Sequence, residues 1–236
     1  MTNPPPAASP APAPIARRRL AVLIAGGAGV DRAVLRRLAA AGTVVAVDSG
    51  FDTARSAGID VDILIGDLDS VSAEGLAAAE ADGVSVERHP VDKDRTDLDL
   101  ALQRVVDGGF TECAVLGGGG GRLSHLLGNA ALVAAGRHAG VEIRWMVGTT
   151  NVQVARPGQE VVVEGAPGDL VSLLAAAGPA AGVTTAGLRW PLDGAVLEAG
   201  STRGVSNELT AERATVTVRK GSLLVIHEPA GEESGS

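Results

Sequence analysis

Short apolar runs alternate with Ala- and Leu-rich helical stretches from about residue 18 to residue 147, and this alternation constrains the fold more than any other feature of the chain. Runs such as LAVLIA, TVVAV and ILIG have no polar side of their own. Apolar strands separated by helices are typical of a parallel sheet covered on both faces, which binds ligands at the carboxyl ends of its strands. We therefore expect an N-terminal, Rossmann-like α/β domain with a mostly parallel sheet over residues 18–147.

A different pattern begins near residue 148, where runs such as QEVVVEG, DLVSLLAA and ATVTV are separated by Gly, Pro and Asp with no convincing helix between them. Short strands bounded by turn residues are typical of an antiparallel sandwich. We predict a small antiparallel β-sandwich over residues 148–229. The Pro/Ala-rich residues 1–17 and the polar residues 230–236 are expected to be disordered tails.

The charge and composition of the chain exclude two kinds of partner. Twenty basic residues face 28 acidic ones and only four side chains are aromatic, so we expect no nucleic-acid surface. No segment is apolar over the length that a membrane span needs, and a single cysteine cannot form an internal disulfide, so we expect no membrane contact and a cytoplasmic location. Residues 52–107 hold 14 of the acidic residues and only five basic ones, so the excess negative charge of the chain is concentrated in this segment and its loops.

Two carboxylates, Asp67 and Asp69, follow an apolar strand in the segment ILIGDLDS at residues 63–70. Alternate residues of a strand point to the same side, so these side chains can share a hard cation such as Mg²⁺, which prefers oxygen ligands. The alternative is a polar turn between a strand and a helix, where Asp is common as a cap.

A second acidic loop, VDKDRTD at residues 91–97, leads into a predicted helix. Thr96 is the expected N-cap, which places Asp97 in the first helical turn. There Asp97 either complements the helix dipole or supplies the carboxylate that a metal site beside the first acidic loop needs, and we favour the second interpretation. Asp99 is expected only to solvate the surface. Lys93 is one of the two lysines of the chain, and we expect it either to contact a phosphate or to stay in the solvent as an ordinary loop lysine.

Five consecutive glycines stand between a predicted strand and a predicted helix in LGGGGGRLSHLLGN, residues 116–129. Glycines let backbone N–H groups approach an anion, and a helix that starts there directs its positive dipole end toward it. Arg122 can bind phosphate oxygens with two N–H groups. For His125, the sequence leaves open whether the side chain faces a ligand, the solvent or the core. The alternative for the glycines is a flexible connector, because the Lys-Ser/Thr pair of a Walker A loop is missing.

Trp190 and the polar run that includes Ser206 and Asn207 form a fourth candidate region. They make either a ligand wall or a packed aromatic next to a turn, and from the residues alone packing is favoured.

Taken in order, these segments resemble thiamine pyrophosphokinases (thiamine diphosphokinases) over residues 20–227. Six motifs carry the resemblance: VDSG at 47–50, GDLDS at 66–70, DKDRTD at 92–97, GGRLSH at 120–125, TAGLRWPL at 185–192 and SNE at 206–208. Each motif is short, but their shared order across both predicted domains makes the resemblance specific.

The resemblance implies Mg²⁺-dependent transfer of the pyrophosphoryl group of ATP to the thiamine hydroxyl, with release of AMP. It further implies a homodimer in which the N-terminal domain binds ATP, the sandwich helps to bind thiamine, and the active clefts lie between subunits. The implied metal-binding and catalytic residues are Asp67, Asp69 and Asp97, the implied nucleotide-binding residues are Asp48, Lys93, Arg122, Ser124 and His125, and the implied thiamine-binding residues are Ser206, Asn207 and Trp190.

Ser124 stands where this family usually has Asp, so a contact to nucleotide or substrate differs here. Two other functions are compatible with parts of the sequence. One is a nucleotide-binding sensor without catalysis. The other is a phosphatase of the haloacid dehalogenase type with Asp67 as nucleophile, although that family carries its Asp-x-Asp motif on the first strand and here two strand-helix units precede it.

Overall fold

The computed structural model describes residues 19–27 and 31–231, so the predicted N-terminal tail and the end of the predicted C-terminal tail lie outside the described residues. The strands are β1 (Leu20–Ala25), β2 (Thr43–Val47), β3 (Ile63–Gly66), β4 (Ser85–Arg88), β5 (Glu112–Leu116), β6 (Glu142–Val147), β7 (Thr150–Ala155), β8 (Glu160–Glu164), β9 (Leu170–Leu174), β10 (Ala180–Ala186), β11 (Ala195–Leu197), β12 (Asn207–Glu208), β13 (Arg213–Thr217) and β14 (Leu223–Glu228). The α-helices are α1 (Arg32–Ala39), α2 (Gly50–Ser56), α3 (Ala73–Ala81), α4 (Asp97–Asp107) and α5 (Leu123–Ala134), and a 3₁₀ turn spans Gly136–His138. Within the described part of the chain, no helix has both the length and the apolar character that crossing a membrane requires.

Ten strands form one mixed sheet in the order β12-β9-β14-β7-β6-β5-β1-β2-β3-β4. The strands from β6 to β4 in this order pair in parallel, and β6 pairs antiparallel with β7. The remaining strands form a smaller antiparallel sheet in the order β11-β10-β13-β8. The fold is thus a mixed α/β sheet with a second, small antiparallel sheet, and the larger sheet continues through the turn at residues 147–150.

The inner parallel strands are apolar on both faces because helices cover both faces, whereas the edge strand β4 is largely exposed. Along β1, Leu23 packs in a cluster with Leu102 of α4 and Val133 of α5, whereas its neighbour Ile24 packs in a second cluster with Leu35 of α1. Successive side chains of a strand point to opposite faces, so one run of apolar residues fills both cores. The amphipathic helix α4 packs its apolar face against the sheet, and Leu98, Leu102 and Val105 are buried there.

Apolar residues of the antiparallel strands form a core of their own between the two sheets. Leu223 and Val225 of the large sheet share one apolar cluster with Val161 and Val163 of the small sheet. Leu224, which lies between Leu223 and Val225 on β14, packs in the other apolar cluster with residues of α4 and α5. The two sheets therefore pack their apolar faces against each other, without a helix between them.

The strand order reverses at β1, which lies between β2 and β5. The loops that follow β1 and β5 meet there, and Gly118 N donates to Gly26 O at 2.9 Å. Gly27 has φ 107°, and a side chain on it would collide with the Gly119 carbonyl oxygen. Glycine is required where two backbones approach this closely. Such a reversal opens a crevice at the carboxyl ends of the strands, where ligands of open α/β sheets bind.

The Asp169 carboxylate links the turn at residue 166 to the C-terminal strand and the residues that follow it. Its Oδ2 accepts a hydrogen bond from Ala166 N (2.9 Å) and lies 2.8 Å from His227 Nε2, and its Oδ1 accepts from Ala230 N (2.8 Å). The hydrogen bond from Ala230 N–H contributes most to lowering the pKa of Asp169, with further contributions from His227 and Ala166.

We expect Asp169→Ala to lower the free energy of unfolding by roughly 2–4 kcal/mol, because it removes the acceptor of two partly buried N–H groups, those of Ala166 and Ala230, and the partner of the buried His227 ring. A lowered pKa stabilises the fold above the unfolded value near 3.8 and is lost as pH falls through the folded value, so the deficit should shrink below about pH 4. Urea unfolding at two pH values measures this, with exposed Asp193→Ala as control. Equal stability of D169A and wild type at pH 7 would contradict the assignment.

Candidate functional site

A cleft of about 390 Å³ lies at the carboxyl ends of β1, β2, β3 and β5. Its walls are the loops that follow these four strands and the first turns of α4 and α5. Because the strands are parallel and adjacent, their carboxyl ends bring together segments that are far apart in the sequence. Four carboxylates and several glycines of the loops after β1 and β5 line the cleft.

Asp48, Asp67 and Asp97 form a cluster, with one carboxylate oxygen of each within 4.8 Å of the other two. Asp48 follows β2 directly and Asp67 follows the adjacent strand β3, whereas Asp97 opens α4. Thr96 is the N-cap of α4, as predicted, and its Oγ1 accepts from Asp99 N at 3.3 Å. Two strand ends and one helix start thus aim three carboxylates at one point.

The backbone at Asp48 is unusual and is held from both sides. Asp48 has φ 47°, a left-handed conformation that is uncommon for residues other than glycine, and its N–H donates to Ile65 O at 3.0 Å. Leu68 N donates to Asp48 Oδ1 at 3.2 Å. A side chain at Gly66 (φ 153°) would collide with the Asp48 carboxylate, so glycine is needed at that position.

Burial, the negative charge of Asp97 and, to a smaller extent, that of Asp67 raise the pKa of Asp48 to about 7. Carboxylates that share a partly buried site cannot all ionise without cost. The cluster therefore favours either a proton or a cation among its oxygens.

Lys93 supplies positive charge to the cluster from the loop before α4. Its Nζ donates to Asp67 Oδ2 at 2.9 Å and lies 3.1 Å from Asp97 Oδ1 as an ion pair. Burial, which alone lowers the pKa of Lys93, is outweighed by the hydrogen bond to Asp67 and by the close contact with the Asp97 carboxylate, so this pKa is raised. Lys93 Nζ also lowers the pKa of Asp67, for which it is the largest cause. Both groups are therefore held in their charged forms.

The donor set fits a hard divalent cation. Asp97 Oδ1 is buried and accepts no hydrogen bond of good geometry from the described residues, despite its ion pair with Lys93. A buried acceptor without a donor favours a ligand that can fill its coordination. Carboxylate oxygens from three segments are the ligands that such cations prefer, with water or phosphate completing the shell.

Asp69 occupies a different place from the one predicted for it. Its side chain is exposed and lines the cleft outside the three-carboxylate cluster, in which Asp48 takes the position expected for Asp69. The neighbouring Asp67 carboxylate raises the pKa of Asp69. The sequence placed Asp48 at a strand end but could not show that β2 and β3 are adjacent, which is what brings it beside Asp67.

The expectation that Asp99 merely solvates the surface is wrong. Arg95 Nη2 lies 2.8 Å from Asp99 Oδ1, and Arg137 Nη2 lies 3.0 Å from the same oxygen. The hydrogen bond from Arg95 lowers the pKa of Asp99. Asp99 thus links the acidic loop and the first turn of α4 to the 3₁₀ turn after α5. The spacing of Arg95 and Asp99 permits an i,i+4 pair, but Arg137 is distant in sequence.

The glycine run is fixed by side chains that the sequence did not single out. Trp145 Nε1 donates to Gly117 O at 2.7 Å, and Asn129 Nδ2 donates to Gly118 O at 2.9 Å. Both side chains are buried. The beginning of the loop is therefore hydrogen-bonded to the protein core, which is not what a flexible connector shows.

Arg122 and His125 lie together where α5 begins. Arg122 Nη2 donates to His125 Nε2 at 2.6 Å, and both residues line the cleft. Arg122 is the N-cap residue but its side chain makes no capping hydrogen bond, so the guanidinium is directed elsewhere. Ser124 is exposed in the first turn of α5 and is not among the residues that line the cleft.

The three residues expected to face thiamine lie outside this cleft, near the end of β12. Asn207 is buried, and its side chain binds the backbone of Trp190, with Oδ1 accepting from Trp190 N (3.0 Å) and Nδ2 donating to Trp190 O (2.8 Å). Ser206 has φ 58° and its N–H donates to Ser172 Oγ at 3.0 Å. Asn207 therefore positions the segment that carries Trp190.

Trp190 is 53% exposed, so it is not the packed aromatic that the residues alone favoured. The Arg189 guanidinium lies 4.8 Å from the centre of its ring, and Arg189 Nη1 forms an ion pair with Glu208 Oε2 at 2.8 Å. The indole face is thus presented at the surface and already attracts a cation.

A carboxylate cluster opposite glycine-rich loops, at the strand-order reversal of a parallel sheet, is typical of α/β enzymes that bind a phosphorylated ligand together with a divalent cation. Comparison with known proteins identifies one family within this class of enzymes. The family model for the thiamin pyrophosphokinase catalytic domain matches residues 35–145, and the model for the thiamin pyrophosphokinase vitamin B1 binding domain matches residues 158–223.

Individual relatives agree with the family models. The chain is 30% identical to a thiamine pyrophosphokinase of Bacillus subtilis over 182 residues, which cover 77% of this chain and 85% of that protein. The crystal structure of the Bacillus subtilis thiamine pyrophosphokinase superposes with a TM-score of 0.76 at 27% identity, covering 90% of this chain and 100% of that one. The structure of the Geobacillus thermodenitrificans enzyme gives 0.75 at 25% identity, covering 92% and 99%.

The chain belongs to the thiamine pyrophosphokinase family, whose members are transferases that use ATP. The resemblance found in the sequence is therefore confirmed. Neither the haloacid dehalogenase-type phosphatase nor the sensor without catalysis is favoured by these comparisons.

The raised pKa of Asp48 predicts a pH-dependent stability of the metal-free protein. An acid whose folded pKa is near 7 and whose unfolded pKa is near 3.8 stabilises the fold fully below the unfolded value, and this contribution is lost as pH rises through the folded value. We expect Asp48→Asn, which carries no charge, to melt at a higher temperature than wild type at about pH 8 with a chelator present.

The difference should decrease as pH falls toward about 4, where wild-type Asp48 is protonated in the folded state and increasingly protonated in the unfolded state as well. Thermal melts at both pH values measure this, and exposed Asp193→Asn is the control. A D48N protein that is no more stable than wild type at the higher pH would show that the carboxylates do not repel one another as the geometry indicates.

Proposed function

We propose that this protein is a Mg²⁺-dependent thiamine diphosphokinase, which transfers the pyrophosphoryl group of ATP to the thiamine hydroxyl and releases AMP. The thiamine oxygen forms a bond to the β-phosphorus, the bond from that phosphorus to the oxygen bridging the α- and β-phosphates breaks, and the hydroxyl proton is lost. The observation that carries the proposal is the carboxylate cluster at the cleft of a chain that belongs to this family.

Asp67 and Asp97 are the proposed metal ligands, with Asp48 as the third carboxylate of the cluster and Asp69 at its exposed edge. A bound divalent cation neutralises phosphate charge and orients the attacked phosphorus. The protein holds these carboxylates in place before any ligand arrives, since strand ends, the Thr96 cap and the hydrogen bond from Leu68 N fix their positions. Asp67, Asp69 and Asp97 remain the proposed catalytic residues, with Asp69 contributing from the lining of the cleft outside the three-carboxylate cluster.

The glycine loops and the start of α5 are the proposed binding site for the triphosphate. Backbone N–H groups and a helix N-terminus favour phosphate oxygens, and the Arg122 guanidinium, which lines the cleft, can donate two hydrogen bonds to them. Lys93, Asp48 and His125 are further proposed nucleotide contacts, Asp48 from within the carboxylate cluster. Ser124 is proposed as well, from the exposed first turn of α5 outside the lining of the cleft. Positioning and charge neutralisation supply most of the catalysis in such transfers.

We further propose that residues 18–147 form a Rossmann-like catalytic domain and residues 148–229 a β-sandwich that binds thiamine through Trp190, Ser206 and Asn207. The exposed indole of Trp190 suits the cationic thiazolium of thiamine, because an aromatic face attracts cations. A cytoplasmic location is proposed as well, in keeping with a single cysteine, Cys113, that is free and buried.

The thiamine-side residues and the carboxylates belong to different places on one chain, since the cleft is lined by residues 25–129 alone. We propose a homodimer in which the Trp190 segment of one subunit completes the cleft of the other. This arrangement joins the two half-sites without any rearrangement of the fold.

The reaction itself is tested by supplying the purified protein with Mg²⁺, ATP and thiamine and separating the products. We expect thiamine diphosphate and AMP in equal amounts, because the β-phosphorus is attacked and AMP is the leaving group. ADP or free phosphate as the main product, or turnover that does not depend on thiamine, would refute the proposed function.

Asp67→Asn should reduce turnover by at least about a thousandfold while the melting temperature stays within a few degrees of wild type, because Asp67 is a ligand and not a cap. Steady-state assays and thermal melts on the same sample measure both quantities. The exposed Asp193→Asn serves as a control for both. A D67N protein that unfolds would instead indicate a structural role for Asp67.

The shared cleft is tested by subunit complementation. D67N and Trp190→Ala, each nearly inactive at low thiamine concentration, are denatured and refolded together, so that half of the dimers are mixed and carry one intact cleft. We expect recovery of about a quarter of wild-type activity. D67N refolded with Asp97→Asn should recover none, because both defects lie on the same side. No recovery with W190A would place the whole site within one subunit.

A further inference from the structure

We infer that Lys93 is a resident counter-ion of the carboxylate cluster, which competes with the divalent cation for Asp67 and Asp97 and transfers its ammonium group to a nucleotide phosphate when the cation binds. The inference rests on the proposed metal site and adds a role for a residue of this chain. It makes metal binding weak without nucleotide and strong with it.

The first support is the position of the ammonium group. Lys93 Nζ lies 2.9 Å from Asp67 Oδ2 and 3.1 Å from Asp97 Oδ1, so it bridges two of the three carboxylates that converge within 4.8 Å. The Lys93 side chain is only 13% exposed, although lysine usually keeps its ammonium in water. A lysine directed inward at two acids serves as the positive charge of that site.

The second support is the conflict between two cations at one set of oxygens. A magnesium-type cation needs its oxygen ligands at about 2.0–2.1 Å, so an ammonium bonded to the same carboxylates would lie within a few ångströms of it. Two like charges at that distance in a partly buried site repel strongly. Binding of the metal therefore costs the contacts of Lys93.

The third support is the destination that the nucleotide provides. Lysine carries a compact charge on a flexible stem, so its ammonium can move by several ångströms while its backbone stays in place. The Lys93 N–H donates to Val91 O at 3.1 Å, which anchors the loop independently of the side chain. Phosphate oxygens beside the metal offer the displaced ammonium a new acceptor.

The test measures binding of Mn²⁺ alone by electron paramagnetic resonance, with no nucleotide and no turnover. Lys93→Met should bind Mn²⁺ roughly tenfold more tightly than wild type, because the competing charge is removed. Lys220→Met, the other lysine of the chain and an exposed one, should bind as wild type does. Lys93→Gln repeats the test should K93M prove unstable.

Adding a non-hydrolysable ATP analogue should tighten Mn²⁺ binding less in K93M than in wild type, because the variant has no ammonium to give to the phosphates. If K93M and K93Q bind Mn²⁺ alone no more tightly than wild type, the inference is overturned while the metal site stands. If wild type and every Lys93 variant bind no Mn²⁺, the metal site falls and the inference with it. Formation of thiamine diphosphate and AMP is scored separately, so that each failure can be assigned.

Discussion

Repulsion among three converging carboxylates is the constraint on which the rest of the site depends. In a flexible chain, repulsion would separate Asp48, Asp67 and Asp97. Here each of them stands at the end of a strand or at the start of a helix, and these elements hold the carboxylates close together. The parallel pairing of β2 with β3 sets the first two side by side, and the buried face of α4 fixes the third. Core packing thus supplies the free energy that holds like charges together, and a cation recovers part of it when it binds.

The glycines around the cleft serve this same constraint. Gly66 has no side chain because the Asp48 carboxylate occupies that space, and Gly27 has none because the Gly119 carbonyl does. On the opposite wall, Trp145 and Asn129 hold the glycine run through its carbonyl oxygens, which leaves the backbone close to the cleft. The high glycine content of the chain therefore has local steric reasons at these positions, whatever its cause elsewhere.

Local features of the chain could be predicted from the sequence, whereas features that depend on which elements are neighbours could not. Thr96 as a cap and Asp67 at a strand end follow from patterns of a few residues, and both are found. The grouping of Asp48 with Asp67 requires knowledge of the strand order, and the pairing of Asp99 with Arg137 requires knowledge of where the 3₁₀ turn packs. Neither is encoded within a short window.

The same dependence on neighbouring elements explains why the sheet arrangement of the antiparallel half could be predicted only in part. Short strand-like runs separated by turn residues predicted strands after residue 148, but the sequences of β7 and β14 are equally compatible with a separate sheet and with an extension of the first one. The choice is made by pairing of β6 with β7 across a tight turn, an interaction of backbone groups that leaves no side-chain pattern. The contact of Asn207 with Trp190 could not be predicted for a similar reason. The Asn207 amide binds backbone groups of Trp190 and not its side chain, so no side-chain pattern indicates the contact.

The charge distribution acquires a physical meaning in this setting. Of 20 basic residues only two are lysines, and one of these is directed into the carboxylate cluster. An arginine there would bind a carboxylate through two parallel hydrogen bonds and would hold it in a fixed geometry, whereas an ammonium forms contacts that are easily exchanged for others. In the site that we propose, the internal cation is released when a metal and a triphosphate bind. Such a release needs the weaker, more mobile partner, and a lysine at position 93 provides it.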